Sequence, residues 1–150
     1  MNKFVVKLAT GIVAIALTCG LSACGGGSLD VEVAAPFDID VTVGGHPLSG
    51  VHIGPGMAQT VMLPVGQSIA LDASEPVVWS LRVGGAVVTG LGAVVDYGGV
   101  SIRQTVLTAS RILIDTDSDY PLGAPLSFSL VATSTMDSAQ VANIRVVLVN

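Results

Sequence analysis

The chain has 150 residues, of which 11 are acidic, six are basic and only 4% are aromatic, with a formal charge of −5. That length fits one domain, and an acidic surface repels phosphate backbones, which argues against nucleic acid or anionic lipid as a partner. Two cysteines and 51% apolar residues exclude a disulfide-dense scaffold and leave hydrophobic burial as the source of stability.

The first segment carries Lys3 and Lys7, then an apolar run from Leu8 to Leu17, then Leu21-Ser22-Ala23-Cys24 and Gly25-Gly26-Gly27-Ser28. A basic start, an apolar middle and small residues before a cut site make a secretory signal peptide. A membrane-spanning helix needs about 20 apolar residues. The segment between Lys7 and Ser22 is shorter and is interrupted by Thr10, Gly11, Thr18 and Gly20.

The Leu21–Cys24 quartet resembles the lipobox of bacterial lipoproteins. The resemblance implies cleavage just before Cys24, a covalent lipid on its sulfur, and a protein held to a membrane by that anchor. Cys19 fits less well, because Thr18 stands where the lipobox has Gly or Ala. The alternative for Cys24 is a chance cysteine in an ordinary signal peptide. Each buried methylene contributes about 0.8 kcal/mol, so one chain binds reversibly. The three chains implied by the resemblance would hold the protein fast. Gly25 lies where lipoproteins kept in the inner membrane often carry Asp, so the resemblance points to the outer membrane. The expected organisation is a signal peptide over 1–23, a lipidated cysteine and flexible tether over 24–28, and one domain over 29–150.

Removing residues 1–23 would take away both lysines. Arg82, Arg103, Arg111 and Arg145 would then face 11 carboxylates, a formal charge of −7 over 127 residues. With Cys24 on lipid, no disulfide remains possible.

The remaining chain reads as all-β. Val, Ile and Thr crowd a helix but fit a pleated sheet, and Gly and Pro interrupt at short intervals. Leu29–Val33 alternates apolar and acidic residues, a half-buried strand. Phe37–Val43 alternates again, with Phe37, Ile39, Val41 and Val43 on one face. Gly44-Gly45-His46-Pro47 turns the chain into a short strand at Val51–Ile53. Thr60–Leu63 and Gln67–Leu71 follow, parted by Pro64 and Gly66.

Val77–Val83 is the clearest central strand, linked through Gly84-Gly85 to Ala86–Val88. Ala93–Tyr97 and Val100–Leu107 are linked in the same way through Gly98-Gly99, and Gly-Gly between apolar runs is a hairpin signal. Ile112–Ile114 predicts a short strand running into an acidic turn. Leu126–Thr133 and Val141–Val149 form the last hairpin. The unbroken apolar run Val146–Val149 predicts cover on both faces.

About nine or ten short strands suggest a two-sheet sandwich. Between Pro64 and Val88, the succession Pro-Val-Gly-Gln-Ser-Ile-Ala-Leu-Asp-Ala-Ser, Pro-Val-Val-Trp-Ser-Leu and Val-Gly-Gly-Ala-Val is similar to bacterial immunoglobulin-like domains. The resemblance implies a B-type strand carrying Ile69 and Leu71, and a buried Trp79 on a C-type strand. It covers about a fifth of the chain and lacks the disulfide, and a jelly roll or another sandwich is the alternative.

Few residues suggest chemistry. Asp115, Asp117 and Asp119 are three carboxylates at alternate positions, which could converge on calcium. An EF-hand loop would have Gly and Glu where Tyr120 and Leu126 stand. The plainer reading is an acidic turn. His46 and His52 are the only histidines, too few for an all-histidine zinc site. There is no Gly-x-Ser-x-Gly elbow, and no Ser-x-x-Lys outside the signal segment, so no enzyme and no cofactor beyond the lipid are expected. Trp79 reads as core, and Tyr97 and Tyr120 as accessible. The expectation is a non-enzymatic, membrane-anchored envelope module docking on another envelope protein. A weak calcium or glycan site at residues 115–120 is the alternative.

Overall fold

The computed structural model describes residues 34–88 and 92–150. The signal segment, the Leu21–Cys24 quartet, the tether and the expected strand at Leu29–Val33 lie outside the described residues.

Eleven strands form two sheets. The first sheet contains β1 (Ile39–Val43), β2 (His46–Pro47), β4 (Ser68–Ala73), β7 (Val94–Tyr97), β8 (Val100–Thr108) and β9 (Arg111–Asp117), in the order β2-β1-β4-β9-β8-β7. The second contains β3 (Ala58–Pro64), β5 (Val77–Val83), β6 (Ala86–Val88), β10 (Leu126–Ser134) and β11 (Val141–Val149), in the order β3-β11-β10-β5-β6. Strands β1-β4-β9-β8 follow the A-B-E-D order of an immunoglobulin sandwich, and β11-β10-β5 follow G-F-C. The described residues thus form an all-β, immunoglobulin-like two-sheet sandwich.

Alternation produces this arrangement. Successive strand residues point to opposite faces, so Ile39 and Val41, Ile69 and Leu71, and Ile112 and Ile114 all turn inward from the first sheet. Leu81, Phe128, Leu130, Ile144, Val146 and Leu148 meet them from the second, and all of these side chains are buried. Ile69 and Leu71 lie on the B-type strand β4, and Trp79 lies on the C-type strand β5, half-buried against the core.

Three hairpins close on glycine pairs. Both glycines have positive φ in Gly44-Gly45 (55° and 81°), Gly84-Gly85 (58° and 85°) and Gly98-Gly99 (59° and 83°). That is the signature of the two-residue turn whose twist matches the strands it joins. At Gly98 a further constraint applies, since a Cβ there would lie 2.7 Å from Leu126 Cδ1.

Several elements differ from expectation. The described residues form eleven strands, one of them the unexpected pair His46–Pro47, which pairs back onto Thr42 and Val43. Val51–Ile53 contributes only a single bridge, Ile53 to Ile39. Strand β9 continues through Asp115 to Asp117, where the sequence suggested a turn. Thr116 points inward there, and its backbone N–H and hydroxyl both donate to the Gln67 carbonyl, at 3.3 and 2.9 Å. In β11, Val146 and Leu148 are buried, but Val147 and Val149 on the other face are only half covered.

Leu71→Ala should cost about 2–5 kcal/mol, the range for a large-to-small change in a closed core, read as a lowered urea midpoint. Gly98→Ala and Gly99→Ala both force an L-residue to positive φ, a strain on the order of 1–3 kcal/mol. Only Gly98 also meets Leu126, whereas a Cβ on Gly99 meets nothing within 4 Å. Gly98→Ala should therefore lower the midpoint further than Gly99→Ala.

Candidate functional site

The outer face of the six-stranded sheet carries Asp40, Asp72, Asp96, Asp115 and Asp117, five of the nine carboxylates among the described residues. Register fixes its rows. Asp96 on β7 stands opposite Ser101 on β8, which stands opposite Asp117 on β9. In the next row, Arg103 on β8 faces Asp115 on β9, and Asp115 faces Ser68 on β4. Farther along, Asp40 on β1 faces Asp72 on β4, and Asp72 faces Arg111 on β9. Two carboxylates directly opposed are unfavourable. Arg111 relieves the pair by placing its Nε 3.3 Å from Asp72 Oδ1. Both side chains are about half exposed, so the ion pair contributes only about 0–1 kcal/mol.

Between β4, β8 and β9 lies an open groove of about 520 Å³, lined by Gln67, Ser68, Ser101, Arg103, Asp115 and Asp117. A second hollow of about 320 Å³ adjoins it and shares Ser101 and Asp117, with Asp96 and Asp119 on its far side. The Ser101 hydroxyl donates to Asp96 Oδ1 at 2.9 Å, which steadies that wall.

The three aspartates singled out from the sequence border this region without converging. Asp115 and Asp117 sit on one strand two residues apart, which separates their Cα atoms by about 6.6 Å along the strand. Calcium requires oxygens at about 2.3–2.6 Å from one centre. Asp119 lies past the strand end, in a bend held by Ser118, whose hydroxyl is 3.0 Å from the Gly99 carbonyl and 2.7 Å from the Tyr120 carbonyl. Among the described residues, no group of three or more His, Cys, Asp or Glu side chains is placed to hold a metal ion.

The remaining candidates are scattered. His52 Nδ1 lies 3.4 Å from Asp38 Oδ2, with both side chains largely exposed. The nearby Ser74 hydroxyl is engaged by the Asp38 backbone N–H at 3.0 Å. His46 is exposed on β2. Trp79 and Tyr97 both pack against the core, and the Tyr97 ring lies over Gly84, where an added Cβ would come within 3.0 Å of it. Only Tyr120 of the three aromatics stands in solvent, 78% exposed, so they form no stacking platform. The sequence reads Tyr97 as accessible. Its inward position follows from the strand parity of β7 and the absence of a side chain at Gly84.

Sequence reasoning missed Ser101, Arg103 and Asp96 as neighbours of the acidic pair. Their only signal was register, which the Gly98-Gly99 hairpin sets. Among the described residues, the strands of the five-stranded sheet carry no carboxylate. Their charged residues are Arg82 and Arg145, which flank Ser129 in one row.

The spacing of Asp115, Asp117 and Asp119 implies no more than weak, screened attraction for a divalent cation. Millimolar calcium should leave the melting temperature unchanged. A rise in melting temperature that Asp117→Asn abolishes would contradict this geometry.

Comparison with known proteins finds no matching family model, no matching curated protein and no matching solved structure.

Proposed function

We propose that this chain is a lipid-anchored, non-enzymatic module of a bacterial cell envelope, held to the outer membrane through Cys24 and acting by docking onto another envelope protein. The observation that carries the reading is the Leu21-Ser22-Ala23-Cys24 quartet directly after a basic and apolar leader. The sandwich supports it. Its inner faces are filled by aliphatic side chains, which leaves only outer faces, edges and turns for recognition. The histidine nearest a carboxylate, His52, is exposed, and the serine beside that pair is bound to backbone.

A second reading rests on the groove between β4, β8 and β9. Carboxylates of Asp115 and Asp117 stand there beside the guanidinium of Arg103, with Gln67, Ser68 and Ser101 as neutral partners. Donors and acceptors of both signs along an open trough suit a polar, neutral or zwitterionic ligand such as a glycan. Under this reading, Arg103→Ala and Asp117→Asn would each weaken glycan binding measured by calorimetry. Unchanged binding in both would remove the groove from consideration.

Metabolic labelling with a clickable fatty acid tests the anchor. The wild-type chain and Cys19→Ala should take up label and sediment with membranes. Cys24→Ala should lose the label and keep the uncleaved leader. An unlabelled wild-type chain would overturn the lipoprotein reading. Cross-linking in intact cells then tests docking, and the absence of any linked envelope protein would count against it.

A further inference from the structure

Each of the two sheets ends in two edge strands, and an edge offers unpaired backbone groups to any passing strand. The edges here are unequal. Strand β2 has two residues, β6 has three, and β7 has four with Asp96 among them. Shortness and charge are the devices that keep edges from pairing. Strand β3 has neither. It is seven residues long, and no Asp, Glu, Lys or Arg occurs between Ile53 and Leu71. Among the described residues, β3 pairs with β11 on one side and with nothing on the other.

The open side is ordered. Met57 O accepts from Asn143 N at 3.1 Å, and Val65 N donates to Val149 O at 2.9 Å, so the odd-numbered residues turn their backbone groups toward β11. Ala58, Thr60 and Met62 therefore turn theirs outward, because successive residues alternate. Pro64 falls in the same outward phase and has no N–H, which ends the row. The side chains of Ala58, Thr60 and Met62 are all exposed.

We infer that β3 is the interface of a two-fold homodimer, pairing antiparallel with β3 of a second copy and joining two five-stranded sheets into one. The strand is complementary to itself. With the axis at Thr60, Thr60 faces Thr60 of the other copy, and Ala58 faces Met62, a small side chain against a large one. Opposed threonines are a favourable cross-strand pair, and an isologous contact of this kind closes without propagating into fibres. Charge does not oppose it. The nearest charged residue in the row is Arg145, beside Thr60 on β11. The two copies of Arg145 would stand three strand spacings apart, about 14 Å, beyond the Debye length of about 8 Å at physiological salt. Among the described residues, no strand of this sheet carries a carboxylate.

The inference is independent of the anchor, so its test uses the full chain in its own cells, with or without Cys24. Thr60→Cys treated with a short bifunctional thiol reagent should give a product of twice the chain's mass. Val78→Cys, also exposed but on an interior strand, and the unaltered chain should give none. Purified full chain should sediment as a dimer whose melting temperature rises with concentration, and Thr60→Lys, which opposes two ammonium groups at the axis, should sediment as a folded monomer with a cooperative melt that does not depend on concentration. A monomeric wild-type chain would overturn the inference. So would a Thr60→Cys product whose mass reveals a different protein on the edge.

Discussion

The fold depends on aliphatic side chains meeting between two sheets with no covalent brace. In antibody domains, a disulfide joins the B and F strands across the sandwich. Here the corresponding strands, β4 and β10, place Leu71 and Leu130 in the core, both fully buried, and no cysteine occurs after Cys24. A disulfide in a small secreted domain typically contributes about 2–5 kcal/mol. That contribution must come from packing instead. The inward rows are accordingly dense in Ile, Leu and Val, and few polar atoms reach them. Ser134 is one that does. Its hydroxyl is satisfied by donating to the Glu75 carboxylate and by accepting from the backbone N–H groups of Met136 and Asp137, so one buried oxygen also shapes the β10–β11 turn.

Much of this architecture could be read from the sequence because the two strongest local signals agreed. Period-two alternation marked β1, β-branched apolar runs bounded by Gly and Pro marked β4, β5 and β10, and glycine pairs marked where hairpins turn. Each says which residues share a face, and burial follows directly. The signals failed where a residue's partner lay far away in the chain. Val51–Ile53 looks like a strand by composition but finds only one bridging partner, Ile39. Asp115 and Asp117 look like turn residues by composition, yet they sit in a strand because Gln67 caps Thr116 between them. The parallel pairing of β3 with β11 left no local trace at all.

The same division holds for the candidate site. The acidic residues were conspicuous in the sequence, but their chemistry depends on what faces them. Asp115 next to Arg103 and Ser68 is a different group from Asp115 next to two other carboxylates, and only the β4-β9-β8 register decides between them. A carboxylate cluster in sequence became a face of mixed charge in space. The outer face of the other sheet, whose described strands carry no carboxylate and bear Arg82 and Arg145, was equally hidden, because its arginines lie 63 positions apart in the chain.

The placement of β11 has a kinetic consequence. This last strand is interior to its sheet, with β10 on one flank and β3 on the other, so residues near 60 wait for residues near 145 before their ladder can form. Contacts of such sequence separation slow folding, since loop closure must precede the gain they bring. A chain emerging from its N-terminus could not complete the five-stranded sheet until residues 141–149 were free. The five-stranded sheet therefore closes late in folding, when the two most distant of its strands in sequence, β3 and β11, finally meet.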